Sequence, residues 1–257
     1  LVLTMSLPAM FSMLVQALYN IVDSIFVSRL GVNALAAVSL AFPIQTLLIA
    51  VAVGTGVGVN SLISRRLGEK DVDAADKAAT HGLILGVFSW IPFLIFGLFF
   101  CRVYMSAFSK TAQVVDMGVD YLSIVCTLSV GCIVEVMVEK TLQATGNMIY
   151  PMLFQLSGAI TNIILDPIFI FGYFGVPAMG VAGAAIATVI GQFVALAFSL
   201  IILFTKSHQV KITFKGFRFN GKTIKDIYAV GFPSIIMQAI GSVMNMGMNG
   251  ILATFSD

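Results

Sequence analysis

An all-α polytopic membrane protein is the fold class this sequence predicts: a six-transmembrane-helix bundle, then a seventh helix that begins a second, repeated lobe. Three observations predict it. Of the 257 residues 59% are hydrophobic and 10% charged, where soluble domains carry about 25% charged residues. The apolar residues gather into seven blocks, and a bilayer span needs about 20 of them in a row. The breaks between blocks are lopsided in charge: taking alternate connections, eleven Lys/Arg fall on one side and three on the other. By the positive-inside rule the N-terminus and the connections after the second, fourth and sixth helices are cytoplasmic.

The first helix, expected at 3–28, carries Ser12, Gln16, Asn20 and Asp23 within an apolar span. At ~100° per residue these four fall within roughly one quadrant, with Tyr19 on the same side. A carboxylate deep in a membrane helix costs at least ~2.5 kcal/mol, so it faces a cavity or a partner. Asp23 is therefore read as the ionisable centre of a water-lined pathway. Pro8 removes one helix hydrogen bond and marks a bending point.

The second and third helices, expected at 35–64 and 77–100, carry Gly54-x-x-x-Gly58 and Gly82-x-x-x-Gly86. Such pairs let helices approach closely. The run GTGVGVNS lacks the Lys-Ser/Thr ending of a phosphate loop and sits inside a span. The fourth helix, 113–140, places Glu135, Glu139 and Gln143 at successive i, i+4 steps. In the fifth, 149–172, Gln155, Asn162 and Asp166 lie within ~40° of one another, and Pro167 frees the Ile163 carbonyl beside the acid. Thr188, Gln192 and Ser199 form a similar stripe on the sixth, 179–205. Four helices thus each present a polar face, as a hydrated cavity requires.

The domain organisation follows. Residues 1–205 form the six-helix lobe, 206–223 a basic cytoplasmic linker, and 224–257 the first helix of a truncated second lobe. The linker motif VKITFKGFRF alternates apolar and basic residues and is read as a solvated connection against anionic lipid. The repeat shows in Leu7-Pro8 against Phe232-Pro233, and in Asn20 against Asn245, all at an offset of 225 residues. An even number of helices separates the copies, which makes them parallel, related by an axis along the membrane normal.

Several classes are set aside. A net charge of +2 is too small to argue for nucleic acid. No basic n-region with a small-residue cleavage site marks a signal peptide. Cys101, Cys126 and Cys132 have no metal or redox spacing and read as apolar fillers. His81 and His208 lie on separate connections without evident ligand partners, and no enzyme constellation emerges. A start at Leu1 and an end just past an apolar run suggest a fragment.

Four blocks then carry a resemblance: LYNIVDSIFVSRLGVNALAAVSLAFPI, ISRRLGEKDVDAADKAA, EKTLQATGNMIYPMLFQLSGAITNIILDPIFIFG and GVAGAAIATVIGQ. In order and spacing they resemble the multidrug and toxic compound extrusion family, in its MepA-like bacterial branch. The resemblance implies twelve helices in two lobes and a monomer at full length. It also implies a multi-pass protein of the bacterial plasma membrane, with no cofactor. The activity implied is export of amphipathic, often cationic drugs against inward H⁺ or Na⁺. A first-helix Asp and a fifth-helix Asn-x-x-x-Asp pair form the ion site in this family, falling here on Asp23, Asn162 and Asp166, with Thr188 beside them. Bound Na⁺ would sit at those acids. Gln16, Tyr19 and Asn20 match positions lining the drug cavity. Glu135 and Glu139 are added as substrate-binding candidates from the helical pattern alone.

Two other readings remain open at this point. A lipid-linked saccharide flippase of the related superfamily would share the central cavity, but with more basic lining. A seven-helix receptor fits the segment count and conflicts with the charge bias, which puts the N-terminus inside.

Overall fold

The structure is a computed structural model that describes residues 2–214 and 217–253. Among them the chain forms helices α1 (Val2–Ser28), α2 (Val32–Gly68), α3 (Val72–Ile95), α4 (Cys101–Phe108), α5 (Ala112–Thr127), α6 (Val130–Ala144), α7 (Ile149–Phe171), α8 (Gly180–Thr205) and α9 (Gly221–Ala253). A π-helical turn, Phe96–Phe100, joins α3 to α4 without breaking the rod. Among the described residues six continuous segments are long and apolar enough to cross a membrane, and the bent pair α5–α6, taken as one span, makes a seventh.

Three expectations change. The charged stretch read as a long break between the second and third helices is nearly all helical. The α2 helix runs on through Arg65 and Arg66, and only residues 69–71 turn the chain. Asp71 starts α3 by accepting the Ala74 N–H at 3.0 Å, the side-chain cap that satisfies a donor every helix start leaves open. The third span also extends to Phe108 rather than 100. The expected fourth helix is two, bent by 44°. At that break the Trp90 indole N–H donates to the freed Thr127 carbonyl at 3.0 Å.

The α2 helix is the hub, packing on α3, α5, α6 and α9. Its glycine pair explains the last contact. A Cβ on Gly58 would stand 2.1 Å from the Ile227 carbonyl oxygen, and one on Gly54 2.4 Å from the Ile235 side chain. Only hydrogen fits, so α9 lies directly on the α2 backbone. Among the described residues three apolar clusters form the core: one centred on Val27, Tyr121 and Ile170, one on Ile63, Ile133 and Ile227, and a smaller one on Val138, Leu142, Phe154 and Leu203. Both repeat prolines, Pro8 and Pro233, sit inside their helices. The side chain of Asn245, the proposed counterpart of Asn20, lies outside the described residues.

Candidate functional site

The i, i+4 spacing of Asn162 and Asp166 puts both on one face of α7, and that face meets α8. Gly191 of α8 makes the approach possible, since a Cβ there would fall 2.8 Å from the Gly158 carbonyl and 3.3 Å from the Asn162 Cβ. Asn162 Nδ2 donates to Asp166 Oδ2 at 2.9 Å, while its Oδ1 accepts from the Thr188 hydroxyl at 3.3 Å and the Thr188 backbone N–H at 3.1 Å. The opposite orientation would set the amide oxygen against acceptors alone. Asp166, Asn162 and Thr188 are all buried, at 0%, 2% and 3% exposure.

From α1, Asp23 faces this trio, close enough to Asp166 for their charges to interact. Its Oδ1 is buried and has no hydrogen-bond partner among the described residues. Tyr19, one turn away, lies near Thr188 and within electrostatic reach of both acids. Four of the residues singled out from sequence, Asp23, Asn162, Asp166 and Thr188, therefore come together, and Tyr19 joins them.

The polar face of α1 splits. Tyr19, Ser12 and Asp23 occupy its inner edge, Ser12 being buried and donating to the Pro8 carbonyl at 3.0 Å. Gln16 and Asn20 are exposed. At ~100° per residue the stripe spans about 100°, wide enough to straddle the boundary between packed and open surface. Asn20 lines an open pocket of about 470 Å³ with Ser24, Ser28 and Leu35.

Two contributors escape a reading of the sequence. Tyr121 of α5 is buried, within electrostatic reach of Asp23, Tyr19 and Asp166. Its hydroxyl donates to Gln45 Oε1 of α2 at 3.3 Å. Tyr121 follows Asp120 near the middle of its block, and no periodic polar stripe in that region marks it out.

A second polar cluster lies apart from the first. Glu139 Oε1 accepts from Lys140 Nζ at 3.0 Å and Gln143 Nε2 at 2.7 Å, and its Oε2 from Gln155 Nε2 at 2.9 Å. Gln155 is eleven residues from Asp166 along α7, or about 16 Å at 1.5 Å per residue. Gln155 shares a helix face with Asp166 and yet serves the other cluster. Glu135, one turn from Glu139, is 8% exposed, with Oε1 unpartnered among the described residues. Lys140, counted from sequence as a connection charge, instead has a largely buried side chain ion-paired to Glu139. On α8 only Thr188 joins the first cluster: Ser199 bonds its own helix at the Leu196 carbonyl, 2.8 Å away, and Gln192 Oε1 is unpartnered among the described residues. Among the described residues no group of three or more His, Cys, Asp or Glu is arranged to hold a metal ion.

Two carboxylates on separate helices, one of them lacking a partner, are equipped to take and release a small cation inside the bundle. Proteins similar to this chain are transporters. The MatE family profile matches residues 8–168. The FAD transporter of Shewanella oneidensis is 30% identical over 98% of this chain and 56% of its own length. The multidrug export protein MepA of Staphylococcus haemolyticus is 28% identical over 98% and 55%. Among solved structures, the chain is similar to a multidrug resistance MATE family transporter of the MOP superfamily in its outward-facing conformation. That match has a TM-score of 0.86 and 35% identity, covering 91% of this chain and 51% of that one. A MOP superfamily transporter from Pyrococcus furiosus, described as having a binding pocket of reverse polarity, gives 0.85 and 31%, covering 97% and 60%. The chain spans about half the length of the curated relatives it matches.

Proposed function

The chain belongs to the MatE family, and from that premise we propose that it forms one lobe, with the opening helix of the next, of a secondary multidrug exporter. Members of this family are transporters, not enzymes, and the protein is a multi-pass membrane protein. The proposed cargo is an amphipathic cationic drug, exchanged for H⁺ or Na⁺ by alternating access across a bacterial plasma membrane. The N-terminus is cytoplasmic in this reading, and the full-length transporter is monomeric.

The observation that carries the proposal is the unpartnered Asp23 oxygen, with Asp23 within electrostatic reach of Asp166. Two neighbouring carboxylates in a low-dielectric bundle repel when both are charged. A proton or a Na⁺ relieves that repulsion, and so does the cationic head of a drug. Because each neutralises the same pair, binding of one weakens binding of the other, by the same factor in both directions. Asn162 and Thr188 hold Asp166 in place through the exchange. Tyr19 sits between Asp23 and Thr188, at the meeting of α1 and α8. Gln16 and Asn20, on the open edge of α1, contact drug, and Glu135 and Glu139 contribute further contacts from α6.

The saccharide flippase is not favoured, because the matched relatives export drugs or transport FAD and the buried charge here is acidic. An FAD-like anion is the second reading that identity supports, and acids at the site oppose it. Purified full-length transporter in a weakly buffered solution separates these. A cationic dye should release protons on binding, or displace Na⁺ where Na⁺ is the coupling ion. Binding of FAD with no release by the dye would overturn the proposal.

A further inference from the structure

The basic connector between α8 and α9 exposes Lys206, Lys211 and Arg218 but buries Val210, and its backbone is held by side chains of α3. Residues 210–213 run beside α3. Side chains alternate there as in a strand: Val210 is buried, Lys211 exposed, Ile212 half-buried and Thr213 exposed. The N–H groups of residues 211 and 213 point the same way, as alternate residues of an extended segment do, and among the described residues no strand meets them. Side chains of α3 do. Asp76 Oδ1 accepts the Lys211 N–H at 2.7 Å, and Thr80 Oγ1 accepts the Thr213 N–H at 3.2 Å. One residue further along α3, His81 Nε2 accepts the Asn220 N–H at 3.0 Å.

His81 is set for this role by its own helix. Its Nδ1 lies 2.7 Å from the Lys77 carbonyl, an oxygen that can only accept. The proton therefore sits on Nδ1 and leaves Nε2 as the acceptor. The Phe217 ring packs 4.7 Å from the imidazole, and Phe219, 5.1 Å from Phe217, adds an edge contact on the same side at 6.4 Å. The His81 side chain is 2% exposed.

Asn220 is the residue that starts α9. Its Oδ1 accepts the Lys222 N–H at 2.9 Å and its carbonyl accepts the Ile224 N–H at 3.1 Å. In a capping box a Glu or Gln three residues into the helix reaches back to the N–H of the capping residue. Here that position is Thr223, and His81 takes the N–H from another helix.

We propose that Asp76, Thr80 and His81 form a docking rail on α3 for the connector, with His81 completing the N-cap of α9 from outside. The connector is then a strap locked to the first six helices, and α3 sets the point at which the second repeat begins. All three rail groups act as acceptors and all three strap groups as backbone donors. The docking therefore depends on the side chains of α3 and not on which basic residues the strap carries.

Amide hydrogen exchange on the detergent-solubilised full-length transporter tests this. In the wild type the amides of Lys211, Thr213 and Asn220 should exchange slowly although their strap neighbours are exposed. Thr80→Val keeps the shape and removes the acceptor, and His81→Phe keeps a ring for Phe217. Each should speed exchange at its own partner amide by ~5-fold or more, the worth of one hydrogen bond, and trypsin should then cut faster at Arg218. His81→Gln, which restores an acceptor, should recover protection at Asn220. Connector amides exchanging at unstructured rates in the wild type would overturn the proposal without reference to any variant. So would unchanged exchange in Thr80→Val and His81→Phe.

Discussion

Asn162 donates to Asp166 at 2.9 Å where neither side chain is more than 2% exposed, one helical turn apart on α7. The amide has a fixed orientation because Thr188 supplies donors to its oxygen, so Asp166 is held by a relay that ends on α8. Asp23 has no equivalent holder among the described residues. The two acids are therefore unequal, one fixed and one open, and the predictions follow from that inequality.

Asp23→Asn should abolish export while leaving expression and membrane insertion intact, because it removes the open carboxylate and breaks no hydrogen bond at its buried oxygen. Asp166→Asn should cripple export. Asn162→Ala should weaken it and also lower thermal stability of the full-length transporter, by the ~1–3 kcal/mol that an orphaned buried acceptor costs. Drug susceptibility of cells, set against transporter abundance in purified membranes, reads all three. Export by Asp23→Asn at the wild-type level would remove Asp23 from the mechanism.

Glu139 calls for a paired test, since it is bonded by Lys140, Gln143 and Gln155. Glu139→Gln alone leaves the Lys140 ammonium buried without its counter-charge, a change that costs about 3–5 kcal/mol. Joining it to Lys140→Met should recover most of the loss in melting temperature. With stability restored, the double variant should show a narrowed drug range, as a substrate contact requires. An unaltered drug range in that variant would assign Glu139 to structure alone.

Orientation is checked by labelling. A cysteine placed at Ser207 should be shielded from a membrane-impermeant reagent added to intact cells, and one in the loop at 173–177 should be labelled. The reverse pattern would place the connector and its rail outside. The charge argument is slightly weaker than the sequence count implies, because Lys140 is paired inside the bundle, whereas Arg65, Arg66 and the connector lysines still mark one side.

Whatever repeats at helical spacing against an apolar background is legible in the sequence. Asn162 and Asp166 stand out for that reason, as do Asp23 and the glycines of α2. Tyr121 and Gln45 do not, because a single polar residue on a mostly apolar helix carries no period. Their role arises only when α2 and α5 are packed on α1. The break between α5 and α6 is equally silent, since Leu128 and Ser129 are neither proline nor glycine, and Trp90 from another helix satisfies the freed carbonyl. In the connector both the alternation and the charge are visible, and its described basic residues are exposed, but neither feature shows that α3 holds the backbone. Of the alternating apolar residues Val210 is buried whereas Phe214 and Phe219 are exposed, and the side chains that accept the connector's N–H groups belong to a helix more than 130 residues earlier.

The most direct measurement is affinity for a cationic dye against pH, in the full-length wild type and in Asp23→Asn. Protons and dye compete for one pair of carboxylates in this account, so wild-type affinity must rise as pH rises and protons leave the site. Asp23→Asn should bind more weakly at high pH and show a flatter profile. If affinity depends on pH equally in both proteins, Asp23 is a structural polar residue and the proposed exchange does not occur there.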